Sequence, residues 1–189
     1  MISVKNLEYR RGERVILQNL DFAVKPGAGL VITGANGSGK TTVLKILAEL
    51  VVPLHGEIEI PGDILYIGHK NAMKEELSVL ENLEFWADLE GNEILVPASL
   101  AYFQLEDYAD LPYKALSHGL QRRAALARLI FSPQKTWLLD EPFAHIDKET
   151  AQRLRNLIIT RTEQGGIVIL SSHQPVDLPF KELGLESRT

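Results

Sequence analysis

Short apolar runs separated by polar turns dominate the first third of the chain and predict β-strands. Three of them, ISV, RVIL and LDFAV, fall within residues 2–24 with Asn and Gly between them, which predicts a small antiparallel sheet. After the turn at Pro26-Gly27, the run GLVIT (29–33) predicts a buried strand. The segment VLKILAEL then predicts a helix that ends at Pro53, and GEIEI and DILYI predict two more strands.

The apolar spacing changes to a helical period after about residue 72. Ser78 and Glu81 have the spacing of a capping box, and LENLEFWADL continues as an amphipathic helix behind them. A second helix is predicted at about 97–107. Residues from about 72 to 118 are therefore predicted to form a helical insert.

Strand patterns return in TWLLD and GIVILSSH, with a predicted helix at about 148–163 between them. This order predicts an α/β fold with a mostly parallel core sheet flanked by helices. The C-terminal LGLESRT is predicted to fray. We expect one domain over 1–189, in which the core and the antiparallel lobe comprise about 1–71 and 119–189.

The motif with the clearest chemistry joins the strand GLVIT to the helix that follows it. GANGSGKT matches the phosphate-binding pattern G-x-x-x-x-G-K-[ST] in this context. Glycines let backbone N–H groups turn toward phosphate oxygens, and the helix N-terminus adds partial positive charge. Lys40 is predicted to reach the β- and γ-phosphates in catalysis, and Thr41 to offer its hydroxyl to Mg²⁺. The predicted ATP-binding residues also include Gly34, Ala35, Asn36, Gly37, Ser38, Gly39 and Thr42.

Titratable side chains follow two of the predicted core strands. Asp140 is predicted to hold Mg²⁺ directly or through water, and Glu141 to orient and polarise the attacking water. An acidic pair that only ends a strand before Pro142 is the alternative, which the phosphate-binding motif disfavours. His173 ends the run IVILSSH at the same rim and is predicted to fix the γ-phosphate and the water. The alternative for His173 is a structural or exposed histidine.

Between these motifs lies LSHGLQRR, which resembles the LSGGQ signature of the ATP-binding-cassette (ABC) family. With the other motifs, nearly the whole chain resembles an ABC-type P-loop NTPase. The resemblance implies that Ser117, His118 and Gly119 face the γ-phosphate held by a partner subunit. A serine that only caps its helix is the alternative. His118 stands where Gly or Ala is usual, and Leu120 replaces the signature Gln.

The resemblance assigns roles to three more positions. It implies that Tyr9 stacks on adenine, that His69 lies in the Q-loop, and that Asp147 lies in the D-loop, which touches the opposite subunit. Tyr9 as an ordinary strand residue and Asp147 as a helix N-cap are the alternatives. Either His69 or Lys70 could meet Mg²⁺ or a membrane subunit. A structural or solvated role is expected for Arg122, Arg123 and Arg128.

A narrower resemblance is to the cytochrome c biogenesis (haem exporter) ATPases. It lies in ITGANGSGKTTVLKIL, YIGHKNAMKEELSVLENL, LSHGLQRRAALARL, WLLDEPFAHID and TEQGGIVILSSHQP. It implies ATP and Mg²⁺ as cofactors, a homodimer formed on ATP binding, and an integral membrane permease as partner. It also implies a cytoplasmic protein bound peripherally to the inner membrane. ATP hydrolysis would drive haem handling or release of a haem-loaded chaperone.

Net charge, cysteine content and the length of the apolar runs argue against several classes of function. A net charge of −5 argues against nucleic acid as a partner, and the absence of cysteine removes disulfides and thiolate metal sites. No apolar run approaches the roughly 18 residues of a membrane span. Three alternatives stay open: the ATPase of another ABC importer or exporter, a soluble non-transport ABC switch, and a binding module without hydrolysis.

Overall fold

The computed structural model describes residues 1–186, which contain eight strands and five α-helices. The strands are Ile2–Arg11 (β1), Arg14–Val24 (β2), Gly29–Thr33 (β3), His55–Glu59 (β4), Ile64–Ile67 (β5), Thr136–Leu139 (β6), Ile167–Ser172 (β7) and Lys181–Gly184 (β8). The helices are Lys40–Leu47 (α1), Val79–Glu90 (α2), Val96–Tyr102 (α3), His118–Phe131 (α4) and Lys148–Glu163 (α5). Single 3₁₀ turns occupy Glu93–Leu95, Glu106–Tyr108 and Tyr113–Ala115.

The strands form two sheets of opposite type. An antiparallel sheet has the order β2-β1-β4, and a parallel sheet has the order β5-β6-β7-β3-β8. This arrangement confirms the predicted α/β class with an N-terminal antiparallel lobe. RVIL and LDFAV, which we predicted as separate runs, belong to the single strand β2, where Asn19 takes a φ of 50° beside a register shift. Within the described residues, no helix combines the length and the apolar character that crossing a membrane requires.

The central parallel strands β6 and β7 are buried along their whole length, which explains why most of their residues are apolar. All four residues of β6 and all six of β7 are buried. Side chains from β1, β2, β3 and α1 pack into one core with residues of β6 and β7, including Ile2, Leu17, Ile32, Leu44, Leu138 and Ile169. A parallel strand covered on both faces has few polar residues because neither of its faces is exposed to solvent.

The chain divides into two compact units. The first comprises Met1–Gly68, Gln134–Glu141 and the residues from Ile158 onward, and the second comprises His69–Pro133 and Pro142–Leu157. The predicted helical insert, about 72–118, falls within the second unit. That unit additionally contains α4 and the first part of α5.

Helix α1 stops before Pro53, so the prediction that this proline ends the helix is wrong. Glu49 adopts a left-handed backbone with a φ of 58°, and its N–H donates to the Ile46 carbonyl at 3.0 Å. The Leu50 N–H donates to the Lys45 carbonyl at 2.8 Å. These two bonds form a Schellman motif, which usually carries glycine at the left-handed position. The sequence offered no such glycine as a signal.

The second helix of the insert is also shorter than the predicted 97–107. Helix α3 ends at a second Schellman motif, in which Gln104 takes a φ of 51° and donates to the Ala101 carbonyl at 3.1 Å. The Leu105 N–H donates to the Leu100 carbonyl at 2.9 Å. Because Leu105 is fully buried at this turn, tertiary packing ends a helix that the apolar spacing alone would continue.

The C-terminal segment LGLESRT was predicted to fray, yet its first two residues belong to strand β8. This strand pairs with β3 in parallel, from Leu30↔Lys181 to Thr33↔Gly184. The Leu185 N–H then donates to the Thr33 carbonyl at 2.8 Å and extends the pairing. The remainder of the predicted frayed segment, 187–189, lies outside the described residues.

Replacing Glu49 by Gly is expected to stabilise the chain by about 0.5–1 kcal/mol, because glycine adopts the left-handed backbone without a Cβ clash. Glu49→Ala is the control, since it removes the same side chain but keeps the Cβ. Urea unfolding of both variants measures the difference. Equal midpoints for the two variants would contradict backbone strain at this position.

Candidate functional site

The loop between β3 and α1 leaves no room for a side chain at its first glycine. Gly34 has a φ of 144°, and a Cβ placed there would lie 2.5 Å from the Leu185 carbonyl oxygen and 2.6 Å from Ser38 Oγ. A larger residue therefore does not fit at Gly34. Ser38 Oγ is buried and has no hydrogen-bond partner within the part of the chain that the structure describes. A buried donor of this kind suits a phosphate oxygen.

Positive charge is concentrated where α1 begins. No side chain caps the N-terminus of α1, and its first turn carries no acidic residue. Lys40, whose side chain is 7% exposed, donates from Nζ to the Gly34 carbonyl at 2.8 Å and to the Ala35 carbonyl at 3.2 Å. Helix dipole and ammonium together make this an anion-binding position.

Asp140 directly follows β6 and reaches the first turn of α1. Thr41 Oγ1 lies 3.0 Å from Asp140 Oδ1 and 2.9 Å from Oδ2, and Asp140 is 1% exposed. A hydroxyl beside a carboxylate supplies the hard oxygen ligands that Mg²⁺ prefers. Within residues 1–186, no group of three or more His, Cys, Asp or Glu could hold a metal ion.

Glu141 turns away from Asp140 because its backbone is left-handed, with a φ of 47°. Its Oε1 lies 3.7 Å from Lys40 Nζ, and its Oε2 lies 2.8 Å from His173 Nδ1. The His173 N–H also donates to Oε2 at 3.3 Å. His173 directly follows β7, and β8 comes later in the chain. The structure thus brings Lys40, Thr41, Asp140, Glu141 and His173 together in the first unit, as predicted.

The signature-like residues lie at the start of α4 in the second unit. Ser117 is the N-cap, and its Oγ accepts a hydrogen bond from the Leu120 N–H at 3.3 Å. The exposed His118 ring has its centroid 6.4 Å from the His145 ring. A Cβ at Gly119 would lie 2.8 Å from the His145 carbonyl oxygen, so this glycine is required sterically. The N-cap role of Ser117 is present, and its contact with a partner's phosphate stays a prediction.

Asp147 caps the start of α5. Its Oδ1 accepts from the Thr150 N–H at 2.8 Å and its Oδ2 from the Thr150 hydroxyl at 2.9 Å. The Thr150 backbone hydrogen bond is the main cause that lowers the pKa of Asp147. Asp147 therefore has the N-cap role that we gave as the alternative. Its contact with an opposite subunit stays a prediction.

The remaining predicted site residues differ in their place in the fold and in their exposure. Tyr9 lies on β1 opposite Leu17 of β2 and packs partly buried against the core. His69 and Lys70 are exposed and follow β5. Thr42 lies half-buried in the first turn of α1. Their predicted contacts with adenine, Mg²⁺ or a membrane subunit remain predictions.

The three arginines of α4 are tied to their own unit, which is the structural role that we expected. Arg122 Nη1 donates to Asn71 Oδ1 at 2.8 Å, and Arg123 Nε donates to the Phe103 carbonyl at 2.8 Å. Arg128 is buried, and its desolvation lowers its pKa to about 10.

One residue of the site was missed by the sequence analysis. Ser171 is fully buried in β7, and its hydroxyl contacts both Asp140 and Glu141. The signal was present in IVILSSH, because a serine within a buried strand needs a polar partner. Only the pairing of β6 with β7 shows which partners it has.

Comparison with known proteins gives consistent matches. A family model described as ABC transporter matches residues 17–144. The cytochrome c biogenesis ATP-binding export protein CcmA of Wolbachia pipientis is 39% identical over 94% of this chain and 91% of its own length. The protein with the same description from Escherichia coli O157:H7 is 40% identical, with the same two coverages. A dimeric bacterial ABC transporter cassette of known structure superposes with a TM-score of 0.87, at 26% identity over 98% of this chain and 94% of that one.

Proposed function

Since the chain belongs to the ABC transporter family and is an ABC-type ATP hydrolase, we propose that it powers a membrane complex for c-type cytochrome maturation. The observation that carries this proposal is a sequence identity of about 40% over 94% of the chain to cytochrome c biogenesis ATP-binding export proteins, joined to the side chains that converge at the candidate site. The work done is haem handling or release of a haem-loaded chaperone.

The residues of the first unit divide the chemistry between them. The loop from Gly34 to Thr42 and the N-terminus of α1 hold the phosphates, and Lys40 moves from the loop carbonyls to the β- and γ-phosphate oxygens. Thr41 and Asp140 would hold Mg²⁺, which when bound would supply positive charge opposite the phosphates. Glu141 orients the attacking water, and His173 fixes the γ-phosphate and keeps Glu141 in place through its ring nitrogen.

Two copies of the chain are proposed to close over two ATP molecules. In this arrangement Ser117 and the N-terminus of α4 in one copy meet the γ-phosphate bound to the other copy. The N-terminus of α4 supports the proposal, because this 14-residue helix has no acidic residue in its first turn and its dipole favours an anion there. The structural relative is itself dimeric.

Ser117→Arg is expected to prevent ATP-dependent dimerisation and to lower ATP turnover at least about tenfold, because a bulky cation replaces the serine that should meet the partner's phosphate. Sedimentation velocity in ATP and Mg²⁺, with Glu141→Gln present to slow hydrolysis, measures the dimer. Ser78→Arg is the matched control, since Ser78 caps α2 in the same way.

The control should dimerise as the parent does, and both arginine variants should still bind ATP. Dimers of equal strength in the Ser117 and Ser78 variants would remove the composite site. A chain that stays monomeric in ATP, even with its membrane subunit supplied, would contradict the whole arrangement.

We also propose that the protein lies peripherally on the cytoplasmic face of the inner membrane, held by an integral permease subunit. Membrane fractionation with and without the co-expressed permease of a cytochrome c maturation system tests this. Recovery in the membrane fraction only with that permease is the expected result. Recovery with the permease of an unrelated ABC transporter, and not with this one, would instead favour a different transporter.

A further inference from the structure

One buried hydroxyl joins the two acidic residues of the site. Ser171 Oγ accepts a hydrogen bond from the Glu141 N–H at 2.8 Å and lies 2.7 Å from Asp140 Oδ1. Ser171 is 0% exposed, and β7 places it beside the end of β6, where Leu139 pairs with Leu170. No water is needed to connect the two carboxylate residues through this group.

The direction of both bonds follows from the donors. A backbone N–H can only donate, so the bond from Glu141 uses a lone pair of the Ser171 oxygen. The hydroxyl hydrogen is then left to donate to Asp140 Oδ1, because an ionised carboxylate can only accept. The single hydroxyl of Ser171 therefore accepts from the Glu141 N–H and donates to the Asp140 carboxylate at the same time.

The two hydrogen bonds of Ser171 lie where the side chains of Asp140 and Glu141 point in different directions. Asp140 points to Thr41 Oγ1, whereas Glu141 points to Lys40 and His173. The divergence depends on the left-handed backbone of Glu141, which costs energy for any residue other than glycine. The hydrogen bond that the Glu141 N–H donates to Ser171 Oγ stabilises that backbone state.

We propose that Ser171 is a positioning residue for hydrolysis: its hydroxyl orients the Mg²⁺-binding carboxylate of Asp140 and holds the water-orienting Glu141 in its turned conformation. This inference rests on the proposed roles of Asp140 and Glu141. Ser171 itself touches neither nucleotide nor water in the proposed mechanism, and it acts through its two neighbours.

Ser171→Ala tests the inference by removing the hydroxyl and leaving the Glu141 N–H without its acceptor. We expect kcat to fall about tenfold or more, with KM for ATP changed less than about threefold. Equilibrium binding of ADP supplies a readout other than activity. The factor by which Mg²⁺ raises the affinity for ADP should be about tenfold smaller in the variant than in the wild type. The affinity for ADP without Mg²⁺ should stay the same.

Ser99→Ala is the matched control. Ser99 is likewise 0% exposed, and its hydroxyl donates to the Val96 carbonyl at 2.8 Å in the other unit. The same chemical change there should leave kcat and the Mg²⁺ effect unchanged. Ser171→Thr keeps the hydroxyl and should restore most of both quantities.

Three outcomes would overturn the inference: wild-type kcat and Mg²⁺ effect in Ser171→Ala, equal losses in Ser99→Ala, or no recovery in Ser171→Thr. If Ser171→Ala does not fold, Ser171→Cys takes its place, because a thiol fills the space but donates weakly. Wild-type behaviour of that variant would overturn the inference equally. Failure of the proposed role of Glu141 is separate, since it would appear as undiminished hydrolysis in Glu141→Gln, and failure of the proposed membrane function would appear in the fractionation experiment.

Discussion

Glu141→Gln is expected to lower kcat for ATP hydrolysis by about 100-fold or more while ATP still binds. Glutamine keeps the shape of the side chain and can keep one hydrogen bond to His173, now 2.8 Å from Glu141 Oε2. Its amide cannot polarise water as a carboxylate does. The change also removes the negative charge 3.7 Å from Lys40 Nζ, so this carboxylate no longer competes with phosphate for the ammonium.

Phosphate release at saturating ATP measures the loss of turnover, and sedimentation in ATP and Mg²⁺ measures the expected dimer. Glu163→Gln, an identical change at an exposed position of α5, is the control and should behave as the wild type. Equal turnover in the wild type and Glu141→Gln would remove Glu141 from the mechanism. Loss of ATP binding in the variant would show that this carboxylate builds the nucleotide site.

The side chains that converge at the candidate site could be predicted because each is fixed by local sequence. Lys40 and Thr41 belong to a motif whose strand-loop-helix context is complete, and Asp140, Glu141 and His173 follow two strands that are mostly apolar and buried along their whole length. Carboxyl ends of parallel strands meet at one rim, so side chains distant in sequence converge there.

Features set by long-range contacts could not be predicted in the same way. Both misplaced helix ends rest on left-handed residues other than glycine, Glu49 and Gln104, which carry no sequence signal. Strand β8 is mostly exposed and polar, and only its pairing with β3 makes it a strand. The role of Ser171 likewise depends on which strand lies beside β7.

One geometric feature underlies both the prediction for Glu141 and that for Ser171. At the end of β6 the chain turns left-handed, and this turn separates a carboxylate that faces Thr41 from one that faces His173. Adjacent acidic residues in a regular strand would point to opposite faces of the sheet. The turn instead keeps both at the rim where the phosphate-binding loop ends.

Lys40→Met is expected to weaken ATP binding about 100-fold and to abolish hydrolysis with it. Methionine matches lysine in length and in helix propensity, so α1 should form unchanged. What is lost is the ammonium that now bonds to the Gly34 and Ala35 carbonyls and lies 3.7 Å from Glu141. Without it, the carbonyls and the Glu141 carboxylate present only negative charge to an incoming phosphate. Equilibrium binding of ATP and of ADP measures the change.

Lys45→Met is the matched control, because Lys45 is exposed on the same helix. It should bind ATP as the wild type does, and thermal unfolding should show both variants folded. The pairing with Glu141→Gln separates binding from chemistry: loss of the ammonium should act on nucleotide affinity, and loss of the carboxylate on turnover. If Lys40→Met bound ATP within about threefold of the wild type, the ammonium would act in the chemical step alone, and the helix N-terminus with its loop would supply the binding energy.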